Sequence, residues 1–266
     1  MNEWTRGIYT SDLQKTAAVI TEMMEVLSLW EPGMGLEDLE RGVIEEGALG
    51  RVSATRVRAI VKRSFNQRFL TPDDRAARNA KTMLERGLRA STFRDVLFLY
   101  CIRTYLVMYD FLVERYWPAA FAGHETITGN QIMLHLRDKF GSERNPEGWS
   151  ESVTARVARN LGKALSDFGL FESRRTTVRR VRLYQPSDFL VLFLLHEGHE
   201  AGIGDTSLLA LAEWEALGLS RADVVDRARY LADVNGAFLF QYSGELAQFS
   251  WRHHTVKEFV DAYEPA

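Results

Sequence analysis

The sequence predicts a mainly α, compact globular helical fold with two helix-turn-helix motifs, the second winged by a short β-hairpin, and a small C-terminal hairpin. Three observations predict it. Apolar residues recur at three- and four-residue spacing through most of the chain. Two stretches, 53–69 and 150–168, are apolar on one helical side and basic on the other, and each follows a shorter helix and a turn. Strand-favouring residues gather only at 173–182 and 237–251. The predicted regions are 1–120 with the first motif, 121–186 with the second, and 187–266 as a C-terminal helical region, packed as one globule.

The spacing predicts a first helix over 11–30, with Ser11 as N-cap, Leu13, Ala17, Ile20, Met24 and Leu27 inward, and Trp30-Glu31-Pro32-Gly33 as its stop. An acidic helix over 36–47 follows, with Leu36, Leu39, Val43 and Ile44 inward. The turn Gly47-Ala48-Leu49-Gly50 leads to Ser53, which caps the next helix. There Val57, Ile60, Val61 and Phe65 form the buried face. Residues 51–68 hold six basic residues and no acidic one. Arg68 projects to the buried side and is read as structural. Arg51, Thr55, Arg56, Arg58, Lys62, Arg63 and Asn66 are the candidate nucleic-acid contacts, because cations and free amides at a helix start suit phosphate. Glu37, Asp38, Glu40, Glu45 and Glu46 on the preceding helix could instead neutralise this face.

Thr71-Pro72-Asp73-Asp74 opens another helix. Residues 93–116 are apolar on most sides and read as a central core helix holding Cys101 as a buried thiol, with Pro118 as its end. Thr126–Phe140 reads as helix and 141–149 as turn. Ser150 then caps a helix of about five turns that stops at Gly169. Val153, Val157, Leu161, Ala164, Leu165 and Phe168 face the core, while Arg156, Arg159 and Lys163 share the opposite face beside Ser152. Arg174, Arg175, Arg179, Arg180 and Arg182 crowd the predicted hairpin, so 156–182 carries eight cations in 27 residues. Short helices follow over 187–200, 207–219 and 220–235, then a hairpin turning at Ser243-Gly244 and a last helix capped by Thr255.

Net charge is −3, so a nucleic-acid surface has to arise from segregated charge rather than excess. The lone cysteine precludes an internal disulfide and fits a cytoplasmic location. The apolar run at 96–113 is broken by Arg103 and Asp110, and 189–195 is too short to cross a bilayer, so no membrane span is expected. The nearest approach to a catalytic motif is His196-Glu197-Gly198-His199-Glu200. Its histidines are three apart, not four, and two ligands leave zinc incomplete. No nucleotide-binding loop or nucleophile elbow is present. Neither metal, cofactor nor catalytic residue is expected.

Tyr9-Thr10-Ser11, the LSLWEP run at Trp30, VIEEGALGRVSATRVRAIVKRSFNQRFL, and LSDFGLF with its Arg-rich tail resemble the BrxA family of bacterial BREX (bacteriophage exclusion) defence systems. The resemblance spans most of the chain. It implies a mostly helical protein with two helix-turn-helix motifs beside a positive surface, double-stranded DNA binding, and partners such as the system's methyltransferase and ATPase components. It brings no catalytic residue. The expected function is a non-enzymatic, duplex-DNA-binding defence component acting mainly through phosphate. A protein-interaction scaffold, an RNA-binding helical factor and a metal enzyme around His196 and His199 are the other readings.

Overall fold

The computed structural model describes residues 7–172 and 177–264. The chain is mostly helical, with two small antiparallel strand pairs. Its N-terminus departs from the amphipathic helix expected over 11–30. A single 3-10 turn at Asp12–Gln14 is followed by irregular, non-helical chain, and helix α1 begins only at Ile20 and ends at Leu29. Side chains from elsewhere take the carbonyls that a helix would have used. Arg68 donates to Ala17 and Ala18, both at 2.7 Å, Asn160 to Leu13 at 2.8 Å and Gln14 at 2.9 Å, and Arg56 to Lys15 at 2.6 Å. Val19, at φ 47°, makes the corner into α1. Leu13, Ala17 and Leu27 are buried as the spacing predicts, but Ile20 and Met24 are only half-buried, and Met23 and Val26 share the buried face of α1 with Leu27.

Helix α2 spans Leu36–Glu45, and α3 is a continuous helical run over 54–69 with a wider π turn at Ile60–Phe65. Ser53 accepts from the Arg56 amide, as its capping role predicts. Helix α4 is Arg75–Glu85. The expected core helix is two: α5, Ala90–Thr104, and α6, 106–121, meet at 102° across Tyr105. Pro118 does not end α6. It follows a π turn at Leu112–Tyr116, where the regular i→i−4 ladder is already interrupted, so its missing N–H is tolerated. Among the described residues no single helix is long and apolar enough to cross a membrane.

Strand β1, Thr126–Thr128, occupies the start of the expected 126–140 helix. Thr128 closes a capping box with Gln131, so α7 is Gly129–Asp138. Helix α8 is Glu151–Asp167, ended by Gly169 at φ 89°. Strand β2, Val178–Arg180, pairs antiparallel with β1, Thr126 opposite Arg180. On its other side the chain returns along 170–172: Phe171 bridges Val181, Glu172 donates its N–H to Arg180 O, and Arg182 donates to Leu170 O. The basic segment is therefore the middle of three extended strips.

Helix α9 is Asp188–Glu200. The helix expected over 207–219 is two short pieces, α10 (Asp205–Leu208) and α11 (Ala212–Ala216). Helix α12 is Arg221–Asn235, capped by Ser220 and closed by Gly236. Strands β3 (Phe238–Tyr242) and β4 (Ala247–Trp251) form the expected hairpin, with Gly244 at φ 86° in its turn, and α13 is Val256–Ala262. One buried apolar cluster runs from Tyr9 to Val260 through all of these elements except β2. Its centre is α5 and α9, buried on nearly every side.

Candidate nucleic-acid interface

Helix α8 sorts its side chains as its sequence spacing dictates. Val157, Leu161, Ala164, Leu165 and Phe168 are buried, while Ser152, Arg156, Arg159 and Lys163 are exposed. Arg156 donates, among the described residues, only to the Ser152 carbonyl one turn back, at 3.2 Å. Among the described residues Arg156, Arg159 and Lys163 have no carboxylate partner. Three solvated cations therefore share about two turns of one helix face.

The cations of α3 are differently placed. Lys62 lies 3.2 Å from Glu40 and 3.6 Å from Glu37, Arg58 lies 3.2 Å from Glu40, and Arg63 pairs with Asp12 at 2.8 Å. Arg56 is half-buried against the Lys15 carbonyl. The acidic helix α2 thus neutralises much of this face. Arg51 and Thr55 are exposed at the α3 start, and Asn66 is half-buried. Arg68, read as structural, is buried, with carbonyls of the N-terminal segment on its guanidinium.

Arg179 is a correction. Expected on an exposed hairpin, it is buried, and its guanidinium lies against α8 at Gly162, where an added Cβ would come within 2.7 Å of it. Burial lowers its pKa. The reason is strand alternation: β2 reads exposed, buried, exposed, so its middle residue has to face the helix beneath. Arg180 and Arg182 point to solvent, Arg180 only 3.8 Å from Glu172. Arg174 and Arg175 lie outside the described residues.

Sequence reasoning missed Lys15. It is exposed on the N-terminal segment, whose backbone is held by Arg56 from α3 at one residue and by Asn160 from α8 at its neighbours. The segment therefore joins the two basic helices. The misassigned helix hid this, and Asn160 carried no periodic signal of its own.

The residues of HEGHE are taken up by packing. His196 is buried, bonds Leu192 O through Nδ1 at 2.7 Å, and stacks on Phe259 at 4.4 Å. Its pKa falls to about 4 because burial disfavours the charged ring. Glu197 accepts from Arg103 at 2.6 Å and from Tyr100 at 3.0 Å. His199 stacks on Trp251 at 4.4 Å, and Glu200 accepts from the Val256 amide. Among the described residues no three metal-ligating side chains converge.

No curated protein matches the chain. A crystal structure of an uncharacterized protein from Magnetospirillum magneticum has a similar fold, at a TM-score of 0.56 and 16% identity, over 73% of this chain and 95% of that one. The BrxA family profile matches residues 7–188, which takes in α1 to α8, both basic helices and the strands around β2. The chain belongs to the BrxA family, and so to the components of BREX bacteriophage-defence systems.

Proposed function

We propose that the chain is a non-enzymatic double-stranded DNA-binding component of its defence system, and that α8 is its principal DNA-contacting element. The observation that carries this is the contrast between two basic helices. Arg156, Arg159 and Lys163 are solvated and unpaired among the described residues, whereas Arg58, Lys62 and Arg63 already have carboxylates. Strand β1, α7, α8, the 170–172 strip and β2 follow one another in the order of a winged helix-turn-helix, in which the second helix enters the major groove and the wing touches the backbone. Arg180 and Arg182 supply the wing's phosphate contacts, and Lys15 extends the track toward Arg51 and Thr55. Ser152 is the side chain best placed to reach a base edge, so sequence preference is modest.

The reading is tested by salt-titrated fluorescence anisotropy on duplex DNA, single strands and duplex RNA. With about five phosphate contacts, log Kd against log salt has a slope of about 4 to 5, and affinity falls roughly 500-fold between 50 and 200 mM salt. Replacing Arg156, Arg159 and Lys163 with Ala flattens the slope by about two to three units. The triple variant stays folded, because the substitutions are exposed and Ala favours helix. An unchanged slope in the folded variant would move the DNA elsewhere. Preference for duplex RNA would favour the RNA-binding reading, and absence of salt-sensitive binding to any nucleic acid the scaffold reading.

A further inference from the structure

The inward turn of Arg179 leaves its charge without a partner. The residue is 7% exposed, yet among the described residues no carboxylate pairs with it and none of its nitrogens finds an acceptor. Residues 173–176, outside the described structure, read Ser-Arg-Arg-Thr and bring no carboxylate of their own. Glu172, the nearest acid in sequence, stands 3.8 Å from Arg180 instead. A charge taken out of water without a counter-charge is costly. The seat built for it carries a second cost. An added Cβ on Gly162 would come within 2.7 Å of Arg179 Cζ, 2.9 Å of Nε and 3.0 Å of Nη2, so the flat face of the guanidinium covers the glycine. Glycine inside a helix, here the 17-residue α8, is itself destabilising relative to alanine. Two departures from local preference at one contact are expected where function, not stability, sets the sequence.

The surroundings of the pair say what completes it. Only Nε of Arg179 is sealed from solvent; the two terminal nitrogens, equally without a partner among the described residues, are not. Arg159 is exposed one turn before Gly162, about 60° round the helix, so the open basic face of α8 borders Arg179 on one side. Arg180, next on β2, points to solvent on the other. Cations thus flank both sides of the seam between helix and wing. In a winged helix-turn-helix one DNA backbone passes that seam, since the helix lies in the groove and the wing beside it. We propose that the crevice between Gly162 of α8 and β2 receives one backbone phosphate of the duplex, with the terminal nitrogens of Arg179 as its innermost donors. The inference rests on the DNA-binding reading. Arg179 then differs from the exposed hairpin contact expected of it: its fork is aligned before DNA arrives, and the phosphate supplies the missing counter-charge.

The test measures duplex affinity against salt, and melting temperature, for the full chain and its variants. Arg179→Met keeps an unbranched apolar stem and removes the charge. It is expected to flatten the log–log slope by about 0.9, which shrinks the affinity loss between 50 and 200 mM salt by about 3.5-fold. Its melting temperature should hold or rise, because an unpaired buried charge is gone. Gly162→Ala favours the helix but lifts the guanidinium from its seat, so it should weaken duplex binding likewise, and it serves if Arg179→Met fails to fold. Arg179→Lys, which retains the charge without the fork, should restore the slope and part of the affinity. A purely structural Arg179 predicts the reverse, a lower melting temperature with the slope unchanged, and that result would overturn the proposal. So would a slope that lysine does not restore. If the Arg156, Arg159 and Lys163 triple variant flattens the slope and the folded Arg179→Met does not, the DNA reading stands and this inference fails; absence of salt-sensitive duplex binding removes both. Stabilisation of the wild-type chain by millimolar inorganic phosphate, lost in an Arg179→Met variant whose duplex slope is unchanged, would assign the crevice to a free anion and equally overturn it.

Discussion

Single residues in this protein carry consequences that their sequence neighbours do not announce. Gly218 is one. It combines a φ of 78° with a Trp117 ring 2.6 Å from where a Cβ would stand, and Trp117 is pinned by its bond to Ala216 O. Gly218→Ala therefore pairs a left-handed backbone cost with overpacking against an immobile ring, and a loss of about 2–4 kcal/mol in denaturant unfolding is expected. A loss below about 1 kcal/mol would mean the ring is free to move. Arg68 is the opposite kind of residue. Its placement on the inner side of α3 was legible from helical spacing, but its partners, the carbonyls of Ala17 and Ala18, were not, because they belong to a segment that spacing read as helix.

Helices α3 and α8 look alike in composition and differ in what covers them. Helix α2 sets its carboxylates against Lys62 and Arg58, with Glu40 largely buried between them. Lys62→Glu would face Glu37 and Glu40 with a third carboxylate and is expected to cost about 1–3 kcal/mol in stability. Arg159→Glu on α8 meets no carboxylate among the described residues and should leave the melting temperature within a degree or two while cutting duplex affinity several-fold at low salt. The two variants thus separate structural from binding charge, read by thermal melting and anisotropy. Equal melting temperatures for both would show that α2 does not hold α3. Both amphipathic helices were visible in the sequence, since burial of one face follows from spacing alone. Which cations remain free was not, since that depends on what packs beside each helix.

Across the molecule, two histidines are buried in the neutral form. His135 on α7 and His196 on α9 both have pKa values lowered to about 4 by burial. An unfolded histidine titrates near 6.5, so the unfolded chain binds more protons than the folded one between those values, and stability falls as pH drops from about 6.5 toward 4. At pH 5 each group should remove about 2 kcal/mol relative to pH 8. Chemical denaturation at the two pH values is expected to show that loss, and His196→Phe, which preserves stacking on Phe259, should remove about half of it. A stability curve flat from pH 8 to 5 would show that water reaches both rings.

The sequence by itself determined the helical class, the C-terminal hairpin, the caps at Ser53 and Thr255, and the inward face of α8. These are local matters: a capping oxygen acts within one turn, and a period of 3.6 or 2 separates two faces without knowing what lies against either. The tertiary structure alone decided that residues 15–19 are not helical, because Arg56 and Arg68 take carbonyls of this segment, and Asn160 those of Leu13 and Gln14 just before it, from helices distant in the chain. It alone paired β2 with β1 across 50 residues and turned Arg179 inward onto Gly162. It also brought Phe121, Leu183 and Tyr230 from three separate segments to one groove. In each case the competing partner is remote in sequence, so its contact energy outweighed a local preference that no short window of residues reveals.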